Sequence, residues 1–426
     1  MCGIVGYIGE RDCAEVLLDG LQKLEYRGYD SAGISVLQNG RIATCKSKGK
    51  LREVRKKLEQ EGKPEGHCGI GHTRWATHGE PSDQNSHPHG DDRISLVHNG
   101  IIENYLPLKS MLEKKGVQFQ SQTDTEVIVR LIERNYRGNP LAAIRETLPL
   151  LRGSYALGIL FADHPDTLYA VRKDSPLIVG TAQDEQLIAS DIPAILPYTR
   201  DYYLLEENEL AVLTKDTVEF FDLLGNSIEK QPHTATWDME AAQKGGYPHF
   251  MLKEIFEQPG AVRDTLSPRI VDGNINLSEL SMSDAELSAI ERIHIVACGS
   301  AAHVGIVTKY LIEQHARIPV ECDLASEFRY RFPIFGKNDL CIIISQSGET
   351  ADTLAALREA KRHGVKTLAV VNVVGSTIAR EADFVLYTWA GPEIAVATTK
   401  AYSTQLALLM LFTLKLAAVR KTMSAE

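Results

Sequence analysis

From about Arg292 onward the chain alternates short apolar runs with helical patterns, and this rhythm restricts the fold more than any other feature. Ile293–Ala297, Pro319–Cys322, Leu340–Ser345, Thr367–Val371 and Phe384–Tyr387 read as buried strands. Between them lie helical patterns such as Ala351–His363, stopped by Gly364. Strands that alternate with helices join by crossovers, so this part is expected to be an α/β domain with a parallel, doubly wound, five-stranded sheet. The last helical run, Thr399 to Val419, is apolar on nearly every face, which predicts a helix covered on all sides.

The first 220 residues follow another rhythm. Ile4–Ile8, Ile34–Leu37, Ile94–His98, Tyr155–Phe161, Leu168–Val171 and Leu187–Ala189 read as short strands bounded by turns. Ala14, Leu17, Leu18, Leu21 and Leu24 form one helical face, with Asp12 placed to cap it. This mixture predicts α+β layers. A looser stretch, rich in turn residues and charge, separates the two patterns and includes a helical segment at Phe250–Gln258. The expected organisation is therefore a first domain over 2–220, a linker over 221–287 and a second domain over 288–426.

A net charge of −10 argues against a polyanion partner, so nucleic acid is not expected. Apolar patterning begins at Ile4 with no secretory signal before it, and the run Leu406–Val419 is broken by Thr413 and Lys415. No membrane partner is expected. The seven cysteines are odd in number and lack C-x-x-C spacing, which predicts free thiols in a reducing cytoplasm and no metal site.

Cys2 directly follows Met1 and precedes the small Gly3. Removal of Met1 would leave a thiol and an α-amine on one residue. An amine with a pKa of about 7.7–8.0 is partly neutral near pH 7 and can act as base for its own thiol. Three further segments carry groups suited to an amino-acid substrate. Gly71–Gly79 reads as a loop in which Arg74 suits a carboxylate, although Trp75 could equally fill a core gap. His98-Asn99-Gly100 reads either as a hairpin turn or as an oxyanion hole made by an amide and a backbone N–H. Thr123-Asp124-Thr125-Glu126 reads as a helix N-cap, or as a holder for an ammonium.

Taken together, Met1–Gly6, Glu25–Gly33, Thr73–Gly79, His98–Gly100 and Thr123–Glu126 resemble the class II (N-terminal nucleophile) glutamine amidotransferases, and within them the glucosamine-6-phosphate synthase family. The resemblance implies an αββα sandwich. It makes Cys2 the nucleophile and gives Asn99 and Gly100 the oxyanion. Arg74 and Asp124 would take the α-carboxylate and α-ammonium of glutamine. Trp75, Thr77 and His78 would line the same pocket, with Trp75 as a gate on the ammonia path.

In the second half, strand Leu340–Ile344 runs into Ser345-Gln346-Ser347-Gly348-Glu349-Thr350 and then a helix. Hydroxyls and N–H groups at a helix start form an anion site without lysine, and helix capping is the plainer alternative. These residues resemble a sugar isomerase (SIS) domain. The resemblance implies that Ser345, Gln346, Ser347 and Thr350 bind the phosphate of fructose 6-phosphate, with Ser300, Val396 and Thr398 near the sugar. The family reads Cys-Gly-Thr-Ser where this chain has Cys298-Gly299-Ser300-Ala301, so one hydroxyl is missing.

The family carries a second SIS domain and a tail beyond the point where this chain stops, at Glu426. The expectation is therefore a glutamine- and fructose-6-phosphate-using transferase with no cofactor, homodimeric in the family. It would keep glutaminase chemistry and sugar-phosphate binding but not synthesis of the amino sugar. Rival readings are an amidotransferase acting on phosphoribosyl pyrophosphate and a non-catalytic phosphosugar sensor.

Overall fold

The computed structural model describes residues 2–25, 28–75, 78–235 and 245–423. The chain forms two compact units, Met1–Met239 and Glu240–Glu426.

The first unit contains two antiparallel sheets. In one, strand Gly3–Gly9 lies between Cys68–Arg74 and Glu185–Ala189, so the chain's first strand is a central one. Ile4 and Ile8 join an inter-sheet core with Ile70 and Ile188 from the same sheet and Val97, Ala156 and Leu160 from the other. Successive residues of a strand point to opposite faces. Accordingly Val5 turns the other way and packs on helix Cys13–Leu24, whose Gly20 would carry a Cβ only 2.9 Å from Val5 Cγ1. Asp12 caps this helix through Ala14 N at 3.1 Å. The second sheet contains the paired strands Ile94–Ile102 and Gly153–Phe161. Its outer face holds Leu96, Leu157 and Ile159 against Val127, Ile128 and Leu131 of helix Thr125–Asn135 and Ile144 of helix Pro140–Thr147. Helix, sheet, sheet and helices stack as an αββα sandwich.

Two local expectations differ from the structure. Residues 71–74 are not a loop. They end a fully buried strand, Cys68–Arg74, set between Gly3–Gly9 and Ser31–Gln38. Its glycines are spaces for the covering helix: a Cβ on Gly69 would meet Cys13 Sγ at 2.7 Å, and one on Gly71 would meet Leu21 Cδ1 at 2.9 Å. Asn99-Gly100 is not a hairpin turn either, because the strand continues to Ile102 and pairs Asn99 with Ala156 and Gly100 with Tyr155.

In the second unit, five parallel strands lie in the order Val320–Leu324, Arg292–Ala297, Asp339–Ser345, Lys366–Val371 and Phe384–Tyr387. The switch point, where ligands of open α/β sheets bind, falls between Arg292–Ala297 and Asp339–Ser345. There Ala297 is in register with Ile344, so the Ser300 and Ser345 loops leave neighbouring strand ends.

The stretch 221–287, expected as a linker, is divided between the units. Ser227–Ile228 and His233–Thr234 add short edge strands to the two sheets of the first unit. In the second, Phe250–Leu266 is one 17-residue helix, and Leu277, Leu280 and Leu287 enter the core. Two-residue edge strands, and a helix that carries Pro259 inside it, give little periodic signal. The final helix, Lys400–Arg420, places Leu408, Leu409, Phe412 and Leu416 in that core. It is not covered all round, since Met410 is 51% exposed. Among the described residues it is the one helix long and apolar enough to cross a bilayer.

Candidate active site and phosphosugar site

Cys2 sits at the entrance of the central strand. Its Sγ accepts from Trp75 N at 3.2 Å and lies 3.5 Å from Trp75 O. Burial pushes the thiol above its ordinary range, so it is protonated near neutrality and needs a base to react. From the other sheet, Asn99 Nδ2 donates to Cys2 O at 3.0 Å. Gly100 follows with φ of 133°, and a Cβ there would meet Ser154 O at 2.1 Å, so only glycine fits. The structure thus brings Cys2, Trp75, Asn99 and Gly100 together.

Arg74 ends strand Cys68–Arg74 and is 3% exposed. Its Nη2 donates to His78 O and, at 3.0 Å, to Gly79 O. Its Nη1 is buried and has no hydrogen-bond partner among the described residues. A buried unpaired guanidinium nitrogen is costly, and an anionic ligand removes that cost. Gly28 presses on the same backbone: a Cβ there would lie 2.6 Å from Arg74 C and 2.9 Å from Trp75 N. Trp75 is 43% exposed and meets Tyr29 edge-on, with 5.6 Å between ring centres. It does not fill a core gap.

Asp124 occupies the N-cap position of helix Thr125–Asn135, yet its side chain makes no capping bond. Asp124 Oδ2 instead accepts from Ile102 N at 2.8 Å, and Oδ1 lies 3.9 Å from His78 Nδ1. His78 also packs edge-on against Tyr105, with 5.1 Å between centres. The carboxylate is thus held beside the strand that carries Asn99 and beside the segment that Arg74 grips. Thr77 lies outside the described residues.

Sequence reasoning missed what lies beneath these groups. His72, His87, His89 and His98 are all buried. His72 Nε2 lies 2.9 Å from Asn99 Oδ1 and 3.0 Å from His98 O. Thr125 Oγ1 bonds both His87 Nε2 and His98 Nδ1 at 2.9 Å. Thr123 Oγ1 bonds His89 Nε2 at 3.1 Å. Burial holds all four rings neutral, with His72 pushed down to about 3. The available signal was density: five of the chain's 13 histidines lie between 72 and 98.

In the second unit, a cavity of about 410 Å³ is lined by Ser300, His303, Thr398, Tyr402 and Gln258 among others. Two predicted residues, Ser300 and Thr398, therefore share one site. The rest of the predicted set does not line it. Ser345 Oγ accepts from Gly348 N at 3.0 Å and lies 3.3 Å from Thr350 Oγ1, while Ser347 Oγ accepts from Glu349 N at 3.2 Å. Thr350 makes no side-chain cap. A hydroxyl that accepts one such bond still has its own O–H to donate, so the loop keeps donors for an anion. The carbonyl oxygen of Gln346 accepts from Asn372 N at 3.1 Å, which pins the loop. Val396 is 62% exposed. Two carboxylates to which sequence reasoning gave no role shape its segment. Glu254 accepts from Ile394 N and Ala395 N, and Glu393 accepts from Thr398 Oγ1, Thr399 N and Ala401 N. Ala301, lacking the family's hydroxyl, packs against the core. Among the described residues no group of three or more His, Cys, Asp or Glu is placed to hold a metal.

A family model described as a glutamine amidotransferase domain matches residues 72–197, and one described as an SIS domain matches residues 286–415. The glutamine–fructose-6-phosphate aminotransferase [isomerizing] of Caldanaerobacter subterraneus subsp. tengcongensis is 58% identical over 428 residues, covering 100% of this chain and 70% of that protein. The protein of the same name from Clostridium acetobutylicum is 56% identical and that from Methanosarcina mazei 50%, with 100% of this chain covered in both and 70% and 71% of the relatives. Among solved structures, the C-terminal domain of glucosamine-fructose-6-phosphate aminotransferase from Francisella tularensis is 42% identical over 43% of this chain and 52% of that one, with a TM-score of 0.42. The glutamine phosphoribosylpyrophosphate amidotransferase of B. subtilis is 20% identical over 91% of this chain and 90% of that one, with a TM-score of 0.48.

Proposed function

The chain belongs to the glutamine–fructose-6-phosphate aminotransferase (isomerizing) family, and from that premise we propose that it splits glutamine at Cys2 and binds fructose 6-phosphate as acceptor for the ammonia, on the route to glucosamine 6-phosphate. Glutamine chemistry is assigned to residues 2–220 and phosphosugar binding to 288–426. Loss of Met1 gives Cys2 a free α-amine, which takes the thiol proton that burial otherwise retains. The thiolate attacks the side-chain amide carbon of glutamine. Asn99 Nδ2–H and Gly100 N–H stabilise the resulting oxyanion. Collapse of this intermediate breaks the C–N bond. The protonated amine returns its proton to the leaving nitrogen, which departs as ammonia, and water hydrolyses the thioester to glutamate. Arg74 Nη1 takes the substrate α-carboxylate and Asp124 the α-ammonium, with Trp75, Thr77 and His78 around them.

On the acceptor side, Ser345, Gln346, Ser347 and Thr350 are assigned to the phosphate, and Ser300, Val396 and Thr398 to the sugar. The reading carries with it a cytoplasmic homodimer, which sedimentation of the purified chain tests.

One observation carries the glutamine assignment: Cys2 O and Asn99 Nδ2, at the two different sheets, meet at 3.0 Å, while Arg74, next to the Trp75 that bonds Cys2 Sγ, keeps a buried nitrogen with no partner among the described residues. The test incubates the purified chain with glutamine and fructose 6-phosphate and quantifies glutamate, alongside Cys2→Ala and an intact-mass check for Met1. Glutamate is expected from the processed wild type alone. Equal glutamate from Cys2→Ala would overturn the assignment.

A further inference from the structure

An oxyanion hole built on an asparagine needs its amide turned one way, because the C=O end repels the charge that the NH2 end attracts. A terminal amide in solution takes both orientations. We propose that His72 is a positioning residue for glutamine hydrolysis, its Nε2–H holding the Asn99 amide with the NH2 turned toward Cys2. This rests on the reading of Asn99 as oxyanion donor.

Two contacts independently select the same orientation. His72 Nε2 faces the carbonyl oxygen of His98 at 3.0 Å, and a carbonyl only accepts, so Nε2 carries the proton. The Asn99 atom 2.9 Å from that nitrogen must then be the oxygen. At the other end, Asn99 meets the carbonyl oxygen of Cys2 at 3.0 Å, which again requires NH2 there. One imidazole proton is shared between two acceptors, and the tautomer follows without further assumption.

His72 is itself immobilised. It sits inside strand Cys68–Arg74, in register with Ile4 and Gly33 on either side, and is fully buried. Its ring lies against His87, with 4.1 Å between centres. His87 is tied through Thr125 Oγ1 to His98, the residue before Asn99. Nδ1 of His72 is buried without a hydrogen-bond partner, and burial keeps the ring neutral at working pH. The donor is therefore constant, and the role needs a donated N–H at the Nε2 position rather than imidazole volume.

Gln places an amide N–H near the former Nε2, whereas Met fills the space without a donor. His72→Met is expected to lower glutaminase kcat about 10²-fold, the scale of losing an oxyanion donor. Affinity for glutamate, measured by calorimetry, should stay within about twofold, because uniform binding is untouched. His72→Gln is expected to recover at least about tenfold of that loss. In an Asn99→Ala background, His72→Met should cost less than about threefold more, since residues acting through one another are non-additive. An undiminished second loss, or no recovery in His72→Gln, would overturn the proposal.

If His72→Met does not fold, the wild-type chain labelled with 15N-histidine decides: an Nε2–H tautomer is expected for His72, and an Nδ1–H tautomer refutes the role. Unchanged turnover in Asn99→Ala alone would instead remove the oxyanion reading, and unchanged turnover in Cys2→Ala the nucleophile reading.

Discussion

Asp124→Asn separates charge from shape at the proposed ammonium site. The wild-type carboxylate uses Oδ2 to accept from Ile102 N at 2.8 Å. In the variant only the amide oxygen can accept from that N–H, so the NH2 is forced to the side facing His78 and the ligand. Fold stability should barely change, because the bond from Ile102 N survives. The ligand loses an opposite charge and meets a donor instead. Two unit charges about 4 Å apart attract by about 4 kcal/mol at an effective dielectric constant of 20. Replacing a charge-assisted hydrogen bond by a neutral one removes about 1–2 kcal/mol. A loss of about 2–4 kcal/mol is thus expected, or roughly 30- to 1,000-fold. The α-ammonium is remote from the reacting amide and is bound equally in ground and transition states. The loss should therefore appear in KM for glutamine, with kcat within about threefold. The assay is glutamate release under saturating and limiting glutamine. A substrate lacking the α-amine, 4-carbamoylbutanoate, serves as control: wild type and variant should use it equally poorly. A fall in kcat at constant KM, or a variant still worse than wild type on the amine-free substrate, would refute the assignment.

Gly28→Ala should lower glutaminase at least about tenfold, since its Cβ would lie 2.6 Å from Arg74 C and 2.8 Å from Arg74 O, both backbone atoms that must shift. An unchanged rate would mean that the Arg74 segment yields at no cost. His72, His87, His89 and His98 are kept neutral by burial, so their folded pKa values lie below the unfolded value of about 6.5. The unfolded state then binds more protons below that pH, and stability falls as the medium acidifies. A histidine contributes at most about 1.4 kcal/mol per pH unit, and only between its unfolded and folded values. For His72 the window runs from about 6.5 down to about 3. Denaturant midpoints of the first unit should drop from pH 7 to pH 5, and a flat profile would contradict the buried neutral cluster. Ser345→Ala removes the acceptor of Gly348 N and should cost the second unit about 1–3 kcal/mol in denaturant titrations. It should also weaken fructose 6-phosphate at least fivefold by calorimetry, an order-of-magnitude expectation for one lost phosphate contact. Stability and affinity both unchanged would exclude that loop from the site.

Much of this was readable from residue patterns, because local chemistry and tertiary structure agreed. The five parallel strands announced themselves as short runs of four to six residues between helices that need them as a floor. Asp12 capped its helix as its position suggested. Elsewhere the tertiary context overrode the local signal. Gly71–Arg74 read as the start of a loop because what makes this segment a strand, the two strands beside it and the helix lying on it, is not local. Asn99-Gly100 carries a strong turn signal, yet pairing with Tyr155–Ala156 holds it extended. Asp124 looked like a cap, and its carboxylate turned out to be held by Ile102 N, on another element. His72 was missed because nothing near it in the sequence marks a histidine whose proton belongs to Asn99.

The central place of strand Gly3–Gly9 has a consequence in time. Its neighbours are Cys68–Arg74 on one side and Glu185–Ala189 on the other. During synthesis this strand therefore waits until Ala189 has been made before its second edge is closed. At about 5–20 residues per second that wait is roughly 10–40 s. On the proposed chemistry Met1 must be removed to create the base, and this interval precedes the closing of the strand that follows Cys2. A nucleophile at the head of a mid-sheet strand couples the order of synthesis to the making of the site: trimming first, closure second.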